Sequence, residues 1–169
     1  MSGIISDNLG RSSGLVKAAG GGKVLQIANV KTTSVISSTN NLGGKEFPSN
    51  TASTDGTQIV TLSMTPQSTT SHFYVWFTCA SGVGANGVPV CGIYCGTTLL
   101  NLCSGNGYSA DVDGMSVHGT QDTTSLSGSQ TIQARNLGTH DGSAHKCNAN
   151  SGGASNGGTA TMTVMEIED

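Results

Sequence analysis

Charged side chains are scarce in this sequence of 169 residues. They make up 10% of the chain, and the formal net charge is only -3. No basic field is therefore present to attract nucleic acid or an anionic membrane surface. The chain also shows no apolar run long enough to cross a bilayer and no signal peptide with a basic start and an apolar middle. We expect no nucleic-acid partner and no membrane insertion, and we expect the protein either to act where it is made or to leave the cell inside a larger particle.

Aromatic residues and groups of strong helix formers are also rare. Phe, Trp and Tyr together supply 4% of the sequence, whereas glycine alone occurs 25 times. Glycine, serine, threonine and asparagine dominate, which excludes a helical bundle and predicts short strands joined by many turns. Disorder is the competing interpretation, because polar chains bury little apolar area against the entropy of folding. The length itself suits one domain, with room for an arm.

The aromatic residues that are present concentrate between positions 58 and 80. Val60, Leu62 and Met64 alternate along one predicted strand, and the segment 66–71 reads as a polar turn. We expect a hairpin, whose second strand carries Phe73, Val75, Phe77 and Cys79 on one face and Tyr74 and Trp76 on the other. A strand that is apolar on both faces must be buried on both sides, on one by the core of its own domain and on the other by a further surface. Tyr74 and Trp76 are therefore predicted to contact a neighbouring subunit.

Further strands are predicted at 24–30, 90–102, 108–119, 129–137 and 159–167, separated by polar segments. The segment 90–102 is either a strand pair or one strand with a bulge at Gly96. The last strand changes phase at Met165, which predicts a bulge or an end in contact with a partner. The segments 31–57, 81–89 and 138–158 are interpreted as loops or, for the first, as paired edge segments. With seven to nine strands and no helices for parallel crossovers, the predicted fold class is all-β, an antiparallel jelly roll or related β-sandwich.

The first 23 residues form a separate compositional unit. Five glycines lie in or near its second half, and its apolar residues are isolated. We interpret residues 1–23 as an extended N-terminal anchoring arm and residues 24–169 as the jelly-roll domain, with a flexible leader as the alternative for the arm. The predicted anchoring contacts are Ile4, Ile5, Leu9, Arg11, Leu15 and Val16.

Five cysteines invite two interpretations. The cysteines are Cys79, Cys91, Cys95, Cys103 and Cys147. Their odd number and synthesis in a reducing compartment favour buried free thiols. The alternative is a disulfide bond between Cys91 and Cys95. His140, His145 and Cys147 resemble a zinc half-site, although their spacing matches no tight metal knuckle and a solvated loop is the favoured interpretation.

Signals for catalysis are weak. The segment 111–114 begins like a calcium loop but lacks the later ligands, so a turn explains it. There is no Gly-x-Ser-x-Gly motif, and no carboxylate pair is framed by apolar residues. We expect a protein without enzymatic activity, without a cofactor and without a bound metal.

Three stretches carry a family resemblance: SGIISDNLGRSSGLVKAAGGGKVLQ at the start, TLSMTPQSTTSHFYVWF in the middle and TATMTVMEIED at the end. They resemble a group of short virion-surface proteins of tailed phages, particularly phages of aquatic bacteria. The resemblance covers most of the chain in outline, whereas residues 81–127 and 138–158 look particular to this sequence. It implies a trimeric jelly roll of the tumour necrosis factor type, so that Tyr74 and Trp76 would lie in a homotrimer interface.

The resemblance implies a structural role on the virion surface, after synthesis in the host cytoplasm. One expectation is a capsid decoration or cement protein, seated as a trimer on the shell and anchored to the phage capsid protein by its arm. The alternative is a receptor-binding or adhesin module of a tail fibre or spike. In that case the arm would dock into the tail fibre protein, and the loops at 81–89, 101–108 and 138–158 would contact a host surface glycan, with Tyr108 as the aromatic platform.

Overall fold

The computed structural model describes residues 22–39, 52–83, 88–105, 112–139, 145–148 and 158–168. Within these ranges the chain is all-β. The strands are β1 (Lys23–Thr32), β2 (Ile36–Ser38), β3 (Thr57–Met64), β4 (Ser71–Val83), β5 (Pro89–Cys95), β6 (Thr98–Ser104), β7 (Val112–Asp122), β8 (Gln130–Thr139), β9 (His145–Cys147) and β10 (Ala160–Glu168). A search of the same ranges for an apolar helix of membrane-spanning length found none.

The strands form two antiparallel sheets that pack face to face. The first sheet has the order β1-β10-β4-β7, with the short strands β9 and β2 continuing from β4 beyond the end of β10. The second sheet has the order β3-β8-β5-β6. When the short strands β2 and β9 are left out, β1 pairs with β10, β3 with β8, β4 with β7 and β5 with β6, so the pairs are nested along the chain. This nesting is the jelly-roll topology, and it confirms the predicted antiparallel sandwich.

The core lies between the sheets and follows the two-residue period of the strands. On β4, Phe73, Val75 and Phe77 are fully buried, and on β10 Ala160, Met162 and Val164 are fully buried. Ile93 of β5 and Ile132 of β8 face them from the second sheet, within the same apolar cluster. Alternation of apolar residues in the sequence therefore predicted the inward faces correctly.

The predicted hairpin between β3 and β4 is wrong. β3 pairs with β8 in the second sheet, whereas β4 pairs with β10 and β7 in the first. The polar connection between them crosses from one sheet to the other, so a short link does not imply a shared ladder. The hairpin that does form joins β5 to β6 through Gly96 and Thr97, with Gly96 at a φ of 57°. Glycine first in a two-residue loop suits such a turn.

Three further predictions need correction. Gly114 lies inside β7 and pairs with Ala80, so residues 112–114 belong to a strand and not to the expected turn. Of the two alternatives predicted at Met165, the bulge does not occur, because burial alternates without a break as far as Glu166. The other alternative, contact with a partner, stays a prediction. The segment 138–158 is not wholly a surface loop, since it contributes the buried strand β9. Its register with β4 and β2 supplies the backbone partners that a loop would lack.

Candidate functional site

The outer face of the first sheet presents an aromatic stripe along its central strand. Tyr74 and Trp76 of β4 stack with ring centroids 6.1 Å apart and an interplanar angle of 20°. His72 meets the edge of Tyr74 at 6.4 Å and 78°. Trp76 is 40% exposed although it sits in the middle of a sheet. The predicted separation of the two β4 faces is thus confirmed, with Phe73, Val75 and Phe77 inside.

The register of the first sheet places other side chains beside this stripe. Ile27, Met165, Tyr74 and Thr120 form one row across the four strands, and Asn29, Thr163, Trp76 and His118 form the next. We call these eight residues the aromatic face. Ile27 is the most exposed large apolar residue of the described chain, at 59%. The exposed apolar side chains thus extend from the edge strand β1 to the interior strand β4, and such a patch with polar neighbours is typical of an interaction surface.

Charge is confined to the margins of this surface. None of the eight side chains of the aromatic face is an Asp, Glu, Lys or Arg. Lys31 and Asp122 lie in the rows on either side, at opposite ends of the strands. Asn29 and Thr163 satisfy one another by a hydrogen bond of 2.8 Å from Nδ2 to Oγ1. A face without charged groups can meet an identical face without like-charge repulsion or the cost of desolvating an ion.

A second notable feature is a cluster of thiols inside the sandwich. Cys79 of β4, Cys147 of β9 and Cys91 of β5 bring their sulfur atoms within 4.8 Å of one another. The Sγ atoms of Cys79 and Cys147 are 3.8 Å apart, and those of Cys91 and Cys147 are 3.9 Å apart. The Sδ atom of Met115 lies 3.8 Å from Cys91 Sγ. We call Cys79, Cys91 and Cys147 the thiol triad.

Interactions among the three thiols shift their pKa values in opposite directions. Hydrogen bonding with Cys147 and with Cys91 lowers the pKa of Cys79 to about 5, against the opposing effect of burial. The pKa values of Cys91 and Cys147 are raised, chiefly through their interactions within the triad. Burial raises the pKa of Cys103 to about 11. All five cysteines are free thiols, as predicted, and Cys91 and Cys95 cannot bridge because four residues along one strand span about 13 Å.

The residues of the suggested zinc half-site separate in the structure. His140 lies outside the described residues. Cys147 joins the thiol triad, whereas the Nε2 atom of His145 is 2.8 Å from the Oγ atom of Ser81. Burial lowers the pKa of His145 to about 4, so the imidazole is neutral at physiological pH. Because Ser81 and His145 are both at most 1% exposed, this pair cannot reach a substrate and is structural.

A buried carboxylate fixes the connection between the two sheets. Glu166 of β10 is 0% exposed and accepts hydrogen bonds from Gln26 Nε2 at 2.5 Å, Ser71 Oγ at 2.6 Å and the backbone nitrogens of Gln67 and Ser68. Although burial acts to raise the pKa of Glu166, the bonds from Ser71, Gln26, Gln67 and Ser68 outweigh it and lower that pKa. Glu166 therefore remains ionised and holds the β3–β4 connection in place.

A groove opens beside this connection. It has a volume of about 360 Å³ and is lined by Pro66, Gln67, Ser68, Thr69, Leu126 and Gly128. Its lining is mostly polar and holds no aromatic ring, so it offers hydrogen-bonding groups without a stacking platform.

The structure brings together only part of the predicted set. Tyr74 and Trp76 adjoin one another on an outer face, as predicted. The proposed anchors Ile4, Ile5, Leu9, Arg11, Leu15 and Val16 lie outside the described residues, as does Tyr108. Sequence analysis missed the thiol triad and Glu166. The burial of Glu166 could have been predicted, because strict alternation along β10 directs its side chain inward. No signal in the sequence indicates that Cys79, Cys91 and Cys147 lie together.

No protein-family model matches the sequence, and no curated protein is significantly similar to it. Among solved structures, the sugar-binding C-terminal domain of EclA shares 10% identity, with a TM-score of 0.37 over 81% of each chain. The dimeric latent PorU from Porphyromonas gingivalis also shares 10% identity, with a TM-score of 0.45 over 90% of this chain but only 14% of PorU. Likenesses this distant do not bear on the function of this protein.

Proposed function

We propose that this protein is a non-enzymatic structural component of a phage virion: a capsid decoration or cement protein that assembles as a homotrimer through its aromatic face. The observation that carries the proposal is the exposure of Trp76 on the interior strand β4 and of Ile27 on the edge strand β1 of the same well-paired sheet. The phage assignment itself depends on the sequence resemblance in the leader, the aromatic strand and the last strand.

Further copies of this chain are the favoured occupants of the aromatic face. Its centre lacks charge, so identical subunits meet there without repulsion. Stacked Tyr74 and Trp76 form a rigid surface that loses little side-chain entropy on contact. Full burial of a large apolar side chain contributes about 1.5–3 kcal/mol, and each subunit of a closed ring would bury several. In a trimer the three arms are linked, so their weak contacts with the shell act together and bind more tightly than one arm alone.

The trimer is tested by a charge placed in the aromatic face. Trp76→Lys should convert a trimer to a folded monomer, because a lysine at the centre of the interface would be desolvated without a partner. The matched control is Thr131→Lys, which adds the same charge to an exposed position on the second sheet. The measurement is molar mass by light scattering at micromolar concentration, with circular dichroism to confirm folding. A monomeric wild type, or a Trp76→Lys variant that remains trimeric, would contradict the proposal.

The place on the virion is tested by copy number. In purified particles, mass spectrometry should find this protein in amounts comparable with the major capsid protein. Deletion of residues 2–22 should then abolish capsid binding and leave the trimer intact, since the arm supplies the anchoring contacts. Capsid binding that is unchanged by the deletion would refute the cement role.

A tail-fibre or spike module that binds a host surface glycan is the second candidate. The polar groove beside the β3–β4 connection favours it, because its volume and hydrogen-bonding lining suit a small hydrophilic ligand. A handful of copies per particle, together with glycan binding that is lost in a groove variant such as Ser68→Trp, would replace the capsid assignment with this one.

A further inference from the structure

The thiol triad connects the paired strands β4 and β9 of the first sheet with β5 of the second sheet, to which neither is joined by backbone pairing. Cys79 and Cys147 belong to the first sheet, on β4 and on the three-residue strand β9. Cys91 belongs to β5 of the second sheet and is fully buried. The three sulfur atoms therefore converge from three strands and from both layers of the sandwich. The jelly-roll topology alone does not demand such convergence, since apolar side chains would fill the same space.

The spacing of the sulfur atoms suits a shared metal ion. Metal–thiolate bonds of about 2.3 Å place neighbouring sulfurs about 3.8 Å apart in a tetrahedral site and about 4.0 Å apart in a trigonal one. The two measured sulfur separations are 3.8 and 3.9 Å. A thiol hydrogen bond has a similar length, so the spacing alone does not distinguish the two. Two further observations favour a metal site: all three sulfur atoms lie within 4.8 Å of one another, and the thioether of Met115 lies next to them.

We propose that Cys79, Cys91 and Cys147 bind one thiophilic metal ion in the core of the sandwich, and that copper(I) is preferred over zinc. The preference follows from the ligands. Structural zinc sites take four ligands, drawn mainly from cysteine and histidine. The thioether of Met115 lies 3.8 Å from Cys91 Sγ and could complete the set, whereas Cys103 lies outside the 4.8 Å group; thiolate with thioether is the soft donor combination that selects copper(I).

Binding would release thiol protons, because the thiolate is the coordinating form. Burial also suits a structural ion over a catalytic one, since Cys91 and Cys147 are both 0% exposed and leave no path for substrate. The ion would tie β9 and β4 to β5 and so fasten the two sheets together.

The test uses the full chain, because a buried site is expected to load while the protein folds. Wild-type protein is unfolded and refolded under anaerobic, reducing conditions with copper(I) or with zinc, desalted, and analysed for metal by mass spectrometry. We expect about one copper per chain. Cys79→Ser and Cys147→Ser should each retain less than a tenth of that amount. Cys95→Ser is the matched control, since Cys95 is buried on the same strand as Cys91 but lies outside the triad.

A second measurement keeps the proposal testable if a triad variant fails to fold. Copper-loaded wild type should unfold at a temperature at least about 5 °C higher than the metal-free protein, because an ion that binds only the folded state stabilises it. Met115→Leu should weaken copper retention and leave zinc retention unchanged. No metal in the refolded wild type, or equal copper in Cys147→Ser and wild type, would overturn the site. Retention of zinc without copper would overturn the choice of ion.

Discussion

At the level of single residues, Glu166 shows how a carboxylate can be buried without becoming neutral. Four donors reach it: one side-chain amide, one hydroxyl and two backbone nitrogens. Ser71 is itself fixed by Thr123, whose Oγ1 atom is 2.8 Å from Ser71 Oγ. These hydrogen bonds stabilise the negative charge of Glu166, and they connect β10 with β1 and with the β3–β4 connection. A buried acid of this kind is a structural anchor, and each donor would lose its partner if the charge were removed.

Glu166→Gln should destabilise the protein by about 1.5–3 kcal/mol, the range for hydrogen bonds to a charged group. The amide replaces one acceptor oxygen with a donor, which then faces donors. Glu168→Gln is the control, because Glu168 lies on the same strand, is half-buried and accepts one hydrogen bond, from Ser68 Oγ at 3.2 Å. Urea denaturation at neutral pH measures both variants. Equal losses of stability would contradict the special role of Glu166.

The same residue predicts a pH dependence. The pKa of Glu166 is lowered on folding from an ordinary value of 4.5, so the unfolded chain binds the proton more readily. Its contribution to stability is complete above pH 4.5 and is lost as pH falls through the folded pKa. In the wild type the free energy of unfolding should decline over this acid range, and in Glu166→Gln the decline should be shallower. Parallel curves for wild type and variant, measured by urea denaturation at each pH, would show that other carboxylates are responsible.

At the level of strands, the sequence predicted which residues face inward but not which strands pair. Alternation identified the buried faces of β3, β4, β8 and β10, because a two-residue period is a local property. Pairing depends on the path of the chain across the sandwich, so β3 and β4 were wrongly joined in a hairpin. β9 was missed because three residues within a Gly- and Asn-rich segment carry no periodic signal. Its burial depends on partners distant in sequence.

Asn136 of β8 is a further buried partner of β9, and it also reaches β2. Its Nδ2 atom donates to the carbonyl oxygens of Ile36 at 3.1 Å and His145 at 3.0 Å, and its Oδ1 atom accepts from the nitrogen of Gly138 at 3.1 Å. One buried amide thus connects β8 to both β2 and β9. Each ladder of these short strands, β2 with β9 and β9 with β4, has only three residue pairs, so the side-chain hydrogen bonds of Asn136 add to weak backbone pairing.

Asn136→Ala should therefore destabilise the fold by about 2–3 kcal/mol, because two carbonyl groups and a nitrogen lose their buried partner. Hydrogen exchange of the amides in β2 and β9 should accelerate more than exchange in β4 or β8. The control is Asn101→Ala. Asn101 also donates to a backbone oxygen, that of His118 at 2.7 Å, but it is exposed, and its loss should cost less than about 1 kcal/mol. Uniform acceleration of exchange across all strands would contradict a local role.

At the level of the whole molecule, the sequence predicted Tyr74 and Trp76 of the aromatic face but could not identify the thiol triad. Tyr74 and Trp76 alternate with core residues on one strand, so their outward direction follows from the backbone period. The triad requires β4, β5 and β9 to meet in space, which only the completed jelly roll provides. The other six residues of the aromatic face also come from neighbouring strands, and they were not predicted for the same reason.

The proposed trimer should be insensitive to sodium chloride, because the aromatic face contains no charged side chain and Lys31 and Asp122 lie at its margins. Salt screens interactions between charges, and apolar contacts are unaffected or strengthened by it. The dissociation constant of the trimer, measured by analytical ultracentrifugation, should change less than about twofold between low and high sodium chloride and should decrease in sodium sulfate. His118→Lys, at the β7 edge of the face, should weaken the trimer and make its assembly depend on salt. A wild-type trimer that dissociates as sodium chloride rises would show that charged groups outside the aromatic face hold the subunits together.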